Sequence, residues 1–196
     1  MDRMELHITG DPAADKLLSE DDFALLTGML LDQQVTMESA FAGPEKIRTR
    51  TGSMKPEAIA AHDPQAFVEM FKERPAVHRF PGSMAARVQA LAEAVQNEWD
   101  GEAAAIWTKG EPDGAEVLRR LKALPGFGEQ KARIFLALLG KQRGLQAPGW
   151  REAAGHYGEE GAYLSVADIV DPESLVKVRA SKQAAKAAAK AAKAKD

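Results

Sequence analysis

Cysteine is absent from the 196 residues, and its absence removes several chemistries at once. Without thiols there is no disulfide, no cysteine nucleophile, no zinc–thiolate site and no cysteine-held iron–sulfur cluster. Histidine is scarce as well. His7, His62, His78 and His156 stand far apart, in none of the spacings that put two metal ligands on one helix face. The expectation is a protein with no metal and no cofactor. No apolar run approaches the roughly 20 residues that a membrane span needs. The opening ten residues, MDRMELHITG, lack the basic start and long apolar stretch of a signal peptide. A cytoplasmic protein with no membrane partner is therefore expected.

What is present is a core. Apolar residues make up 45% of the chain, enough for one large domain or two small, tightly packed ones. The formal charge of −3 is unevenly spread. Residues 177–196 carry seven basic side chains against one acid, leaving 19 basic against 28 acidic side chains in the other 176 residues. An acidic body argues against a broad basic footprint for nucleic acid, although a helix N-terminus can hold a phosphate on an acidic molecule.

Helical periodicity dominates and no stretch alternates as a strand, so the fold class is all-α. Ser19-Glu-Asp-Asp22 reads as a helix start, and the run from Phe23 to Leu31 is apolar on nearly every face, as in a helix inside a core. Ser83 is placed to cap a helix whose Met84, Val88, Leu91 and Val95 form one stripe. Asp113 is placed to cap another, and Asp171-Pro172-Glu173 opens a last one. Gly/Pro pairs at 43–44, 81–82, 125–126 and 148–149 are expected to separate helices. The chain divides into a helical domain over 1–178, with a hairpin at 118–140, and an Ala/Lys-rich tail over 179–196. That tail reads as a frayed helix or a solvated end, because it has no large apolar side chain to dock it.

The segment Leu124-Pro125-Gly126-Phe127-Gly128-Glu129-Gln130-Lys131-Ala132 carries the most information. A helix ends at Leu124, Pro125 blocks its continuation, and Gly126 and Gly128 allow a tight turn before a second helix begins near Glu129. The free N–H groups at that second helix start suit a phosphate oxygen, with Lys131 as a charged neighbour. A plain glycine-ended helix followed by another helix is the bland alternative. Such a clamp reads backbone shape and charge and carries no base information.

The same segment resembles the LPGxGxxxA hairpin of the helix-hairpin-helix (HhH-GPD) DNA glycosylase superfamily of base-excision repair proteins. Leu30-Leu-Asp-Gln-Gln-Val-Thr36 is similar to the LLxxQxT and IIGQQVS pattern of that superfamily, and Phe80–Val88 to its segment of a glycine before a KAxxL helix. The resemblance covers roughly Leu18 to Leu145 and is strongest to the actinobacterial HhH-GPD-type base-excision repair proteins. It implies an all-α glycosylase-like fold, double-stranded and damaged DNA as partner, and DNA contacts from the hairpin residues and Gln34. Gln33 is a second candidate for filling the gap left by an extruded nucleotide.

Two departures bear on chemistry. Bifunctional members carry a lysine nucleophile where this chain has Gln130, and an amide cannot form a Schiff base. Lys131 lies about 100° further round the helix and is no substitute. The superfamily's aspartate, from a VDTH-like segment, would fall near Pro148, where no acid stands; Glu152 is the nearest carboxylate and the one catalytic candidate. The resemblance therefore implies, if the chain is catalytic, a monofunctional N-glycosylase (a hydrolase) without strand cleavage. A non-catalytic binder of damaged DNA and a helical protein-interaction module are the alternatives. Trp99, Trp107 and Trp150 are candidates for stacking on a base, Arg48 and Arg50 either contact phosphate or form only a solvated loop, and the tail is a candidate for salt-sensitive DNA affinity or an inert solubilising end.

Overall fold

A computed structural model describes residues 3–195, so Met1, Asp2 and Asp196, at the ends of the expected domain and tail, lie outside it. The described residues form eleven α-helices and no strand. The chain opens with α1 (Pro12–Glu20) and α2 (Asp22–Leu31), followed by α3 (Met37–Thr51), α4 (Pro56–Ala61) and α5 (Pro64–Lys72). Then come α6 (Pro81–Glu98), the short α7 (Ala105–Thr108), α8 (Gly114–Lys122) and α9 (Glu129–Gln142). The short α10 (Trp150–Ala153) and the long α11 (Pro172–Lys193) complete the order.

The all-round apolar helix is the centre of the molecule. Every residue of α2 from Phe23 to Leu31 is buried, and α1, α3, α6 and α9 pack around it. Gly28 brings α3 close, since a Cβ there would lie 2.5 Å from the Phe41 ring. On one flank α6 carries α4 and α5; on the other α8, α9 and α10 pack together. The expected caps at Asp113 and Asp171 hold, their carboxylates accepting from the Glu116 and Ser174 N–H groups at 2.9 and 2.7 Å.

Four local expectations need correction. Asp21, not Ser19, caps α2, accepting from the Ala24 N–H at 3.0 Å, while Ser19 belongs to α1 and its Oγ accepts from the Leu6 N–H at 2.9 Å. Pro81 opens α6 at its first position, so Ser83 lies inside the first turn instead of capping it. Gly43-Pro44 is no break, because both lie buried within α3. Helix α3 accommodates the proline because packing holds it on both sides, with Leu31 within 2.5 Å of where a Gly43 Cβ would stand. The residue pair Arg48 and Arg50 lies on helix, not loop.

The Ala/Lys segment continues the helix that begins at Pro172 and remains helical to Lys193, exposed from Lys182 onward. Two ion pairs tie this overhang to the body: Arg179 to Glu38, and Lys182 to Asp32 at 3.9 Å. Among the described residues no helix is long and apolar enough to cross a membrane.

Candidate nucleic-acid interface and its cleft

The hairpin joins α8 to α9. Ala123 caps α8, and the Leu124 and Phe127 N–H groups close the turn on the carbonyls of Leu121 and Leu124 at 3.1 and 3.2 Å. Gly126 sits at φ +81, a left-handed conformation, and a Cβ there would lie 2.3 Å from Leu30 Cδ1. Glycine is needed at this position for the turn. Gly128 differs: its φ of −78 suits any residue, and a Cβ would meet nothing within 4 Å. Its value is the bare main chain it leaves open, not a turn.

The Ala132 N–H is the first of α9 to reach back, donating to the Gly128 carbonyl at 3.0 Å. Among the described residues, the N–H groups of Gly126, Gly128, Glu129, Gln130 and Lys131 meet no acceptor. These amides crowd the positive end of a 14-residue helix dipole. Glu129 would oppose a phosphate there, but its carboxylate pairs with Arg133 at 3.1 Å and Lys122 at 3.7 Å, which hold it below the usual range.

The side chains of the hairpin divide sharply. Leu124 and Phe127 are buried, Phe127 edge-on to Phe135, so only their main chains face outward. Pro125 is half-buried. Lys131 turns inward. Its Nζ donates to the Leu30 carbonyl at 2.8 Å and lies 3.4 Å from Gln33 Oε1, and burial lowers its pKa to about 8 against the pull of Asp32. Gln130 lies at the edge of a cleft, its Nε2 donating to Tyr157 Oη at 2.9 Å.

That cleft, of about 430 Å³, runs beside the hairpin. Its lining comes from Gln130, Lys131 and Ile134 of α9 and from Met29 and Asp32 at the end of α2. His156 and Tyr157, their rings 4.1 Å apart, and Lys182, Ala185 and Ala189 of α11 complete it. A larger groove of about 680 Å³ lies along residues 3–20 and includes no hairpin residue.

Beyond α2 the chain makes a tight turn through Asp32, Gln33 and Gln34. His78 braces it: the Phe80 N–H donates to Nδ1 at 3.0 Å, leaving Nε2 as the donor to the Leu31 and Gln33 carbonyls at 3.1 Å each. Burial, reinforced by nearby Lys131 and Arg87 against those two carbonyls, lowers the ring's pKa. Gln33 is engaged, with Nε2 on Met84 Sδ at 3.3 Å. Gln34 is exposed at φ +59, an unusual backbone conformation for a non-glycine residue.

Asp32 went unremarked in the sequence beside its two glutamines. Its side chain is only 8% exposed, at the C-terminal end of α2, and burial raises its pKa against the pull of Lys182 and Lys131, with Glu38 adding to the rise. The other sequence candidates stand elsewhere. Glu152 is exposed on α10 and does not line the cleft. Trp150 packs against Gly140 and Gly114, Trp107 is buried beside Phe135, and Trp99 lies under Arg120. Arg50 donates to the carbonyls of Met70, Glu73 and Pro75, and Arg48 pairs with Glu45 at 2.7 Å. The aromatic rings at the cleft are Tyr157 and His156, which a search for tryptophan overlooks.

The family model described as HhH-GPD superfamily base excision DNA repair protein matches residues 27–195. The chain belongs to the HhH-GPD superfamily. No curated protein and no solved structure matches it. As an HhH-GPD protein it is a DNA-binding base-excision repair protein of glycosylase type, with an all-α fold. The matched region of this HhH-GPD chain extends past the hairpin and takes in α11, beyond the stretch that the sequence motifs cover.

Proposed function

We propose that this HhH-GPD protein is a monofunctional DNA glycosylase acting on damaged double-stranded DNA. The amides around Gly126 and Gly128 grip a phosphate of the duplex, with the main chains of Leu124, Pro125 and Phe127 shaping the turn. A damaged nucleotide is turned out of the stack into the cleft, and its N-glycosidic bond is hydrolysed. Gln34 enters the gap, for which its exposure and its φ of +59, one turn from the hairpin contacts of Leu30 and Gln33, provide support. The reaction is a hydrolysis in the cytoplasm, on nucleoid DNA, and needs no cofactor.

The observation that carries this reading is the fan of unpartnered amides at the α9 N-terminus, beside a cleft large enough for a nucleobase. Two side chains support hydrolysis without strand cleavage. Gln130 has no amine and is bound to Tyr157 Oη, and Lys131 is bound to the Leu30 carbonyl. A base lost to water leaves the backbone intact until alkali is added.

The test uses labelled duplexes that carry, one at a time, uracil, hypoxanthine, an oxidised guanine or a methylated purine. The expected result is alkali-dependent cleavage at one lesion and none without alkali. Strand scission without alkali overturns the monofunctional assignment. Tight, salt-sensitive duplex binding with no base released from any lesion identifies a non-catalytic binder instead. Absence of duplex binding removes the clamp.

A further inference from the structure

Two carboxylates elsewhere in the molecule are engaged by donors on every side. Asp15 accepts from the Ile8 and Thr9 N–H groups and from Thr9 Oγ1, at 3.2, 2.9 and 2.9 Å. Asp168 accepts from Lys141 Nζ at 2.6 Å and the Leu164 N–H at 2.8 Å. Both close loops, and both read as structure. Asp32 does neither. Its side chain is 8% exposed, and among the described residues no donor lies within hydrogen-bond distance of its carboxylate. The nearest cation, Lys182 Nζ, stands 3.9 Å away on a side chain that is 43% exposed.

Its position adds to the cost. A carboxylate at a helix C-terminus faces the negative end of the helix dipole. The long pair with half-exposed Lys182 returns little, and burying a charge without hydrogen bonds is unfavourable. The same residue lines the cleft together with Lys131 and Gln130 of the hairpin helix. An acid without hydrogen-bond donors in a cleft is placed for a charge that arrives with the ligand.

We propose that Asp32 is the catalytic carboxylate of this protein, supplied from the end of α2 in place of an acid from the loop beyond the hairpin. This rests on the glycosylase reading above. As the bond between C1′ and the base nitrogen breaks, the electron pair leaves with the base, which takes up a proton from solvent. Positive charge develops on the sugar, at C1′ and the ring oxygen. The Asp32 carboxylate stabilises that cation and accepts the proton of the water whose oxygen then bonds to C1′. Products are the free base and an abasic sugar, with Asp32 regenerated on release of its proton. Lys182 is a side chain that a DNA phosphate can withdraw from Asp32, which frees the acid when a duplex is bound.

The experiment needs no knowledge of the damaged base. Two duplexes are compared, one with a neutral tetrahydrofuran abasic site and one with a pyrrolidine abasic site, whose ring nitrogen is cationic at neutral pH. The full chain should bind the pyrrolidine duplex roughly ten-fold or more tightly than the tetrahydrofuran duplex, as a transition-state-like cation should be. Asp32→Asn should bring that ratio to about one, with Asp32→Ala behaving alike. Thermal unfolding of both variants checks that the fold is retained, which is expected because no hydrogen bond is lost. A ratio near one in the unmodified protein, or a preference that survives in both variants, overturns the role of Asp32 and leaves the hairpin clamp standing. Failure to bind either duplex removes the clamp, and the role of Asp32 with it.

Discussion

Lys131 Nζ donates to the carbonyl oxygen of Leu30 at 2.8 Å, tying the first turn of the hairpin's second helix to the last turn of the buried central helix. The one lysine of the hairpin motif is thus a strut between two helices, and what the hairpin leaves unpartnered is its main-chain amides. This placement has a measurable electrostatic signature.

Burial holds the Lys131 ammonium at about 8, below its ordinary 10.5, so the folded protein binds that proton less tightly than the unfolded chain does. Between these two values the unfolded state carries a proton that the folded state has released, and stability rises with pH. Below about pH 8 the cost of the buried cation is fully present. Urea unfolding from pH 7.5 to 10 should therefore favour the unmodified protein increasingly over Lys131→Met. Parallel stability profiles would mean that the amine is not desolvated.

The two hairpin glycines should separate folding from binding. Gly126→Ala places a Cβ against Leu30 in a left-handed conformation and should destabilise by about 1–3 kcal/mol. Gly128→Ala meets no atom and should leave stability within about 0.5 kcal/mol. Its added methyl stands where a phosphodiester must approach, so duplex affinity should fall about ten-fold or more, the equivalent of losing one charge-assisted hydrogen bond. Paired denaturation and fluorescence-anisotropy titrations check both. Unchanged DNA affinity for Gly128→Ala would refute phosphate capture at this turn.

Trp150 is expected to matter for stability. Its ring fills the space left by Gly140, where a Cβ would lie 2.4 Å from the indole, and its main chain crosses equally close to Gly114. Trp150→Ala should cost about 2–4 kcal/mol by opening a cavity behind α8 and α9. Chemical denaturation gives the number. A loss under about 0.5 kcal/mol would mean the indole is not packed there.

The parts of the fold governed by local rules were legible in the sequence. The unbroken apolar surface of Phe23–Leu31 marked a central helix, and Asp113 and Asp171 marked helix starts, because these signals need only neighbours along the chain. Pro44 misled for the same reason: its ring signals a break locally, and packing on both sides of α3 overrides it. Helices α1, α4 and α5 each open on a proline at the first position, a start signal as local as those of Asp113 and Asp171 and one left unread. At the cleft the limits were tertiary. Lys131 reads along the chain as a charged neighbour for a phosphate, yet its long side chain reaches back to α2. Asp32 stands beside two glutamines that draw the eye, and nothing in LLDQQVT reveals that the acid is left without donors until His78 folds the turn over. Glu152 was chosen by counting from the hairpin, but the loop after α9 takes it to the surface.

Two glycines on neighbouring helices face the same residue, Gly140 the Trp150 indole and Gly114 its main chain, and that shared wedge fixes the spacing of α8 and α9 before any duplex is met. The order of the connecting turn is then set when the chain folds, and little conformational freedom remains to be lost on docking. Under the proposed clamp, association is a rigid-body encounter whose speed depends on orientation and long-range charge, and retention of the duplex depends on how many amides find an oxygen.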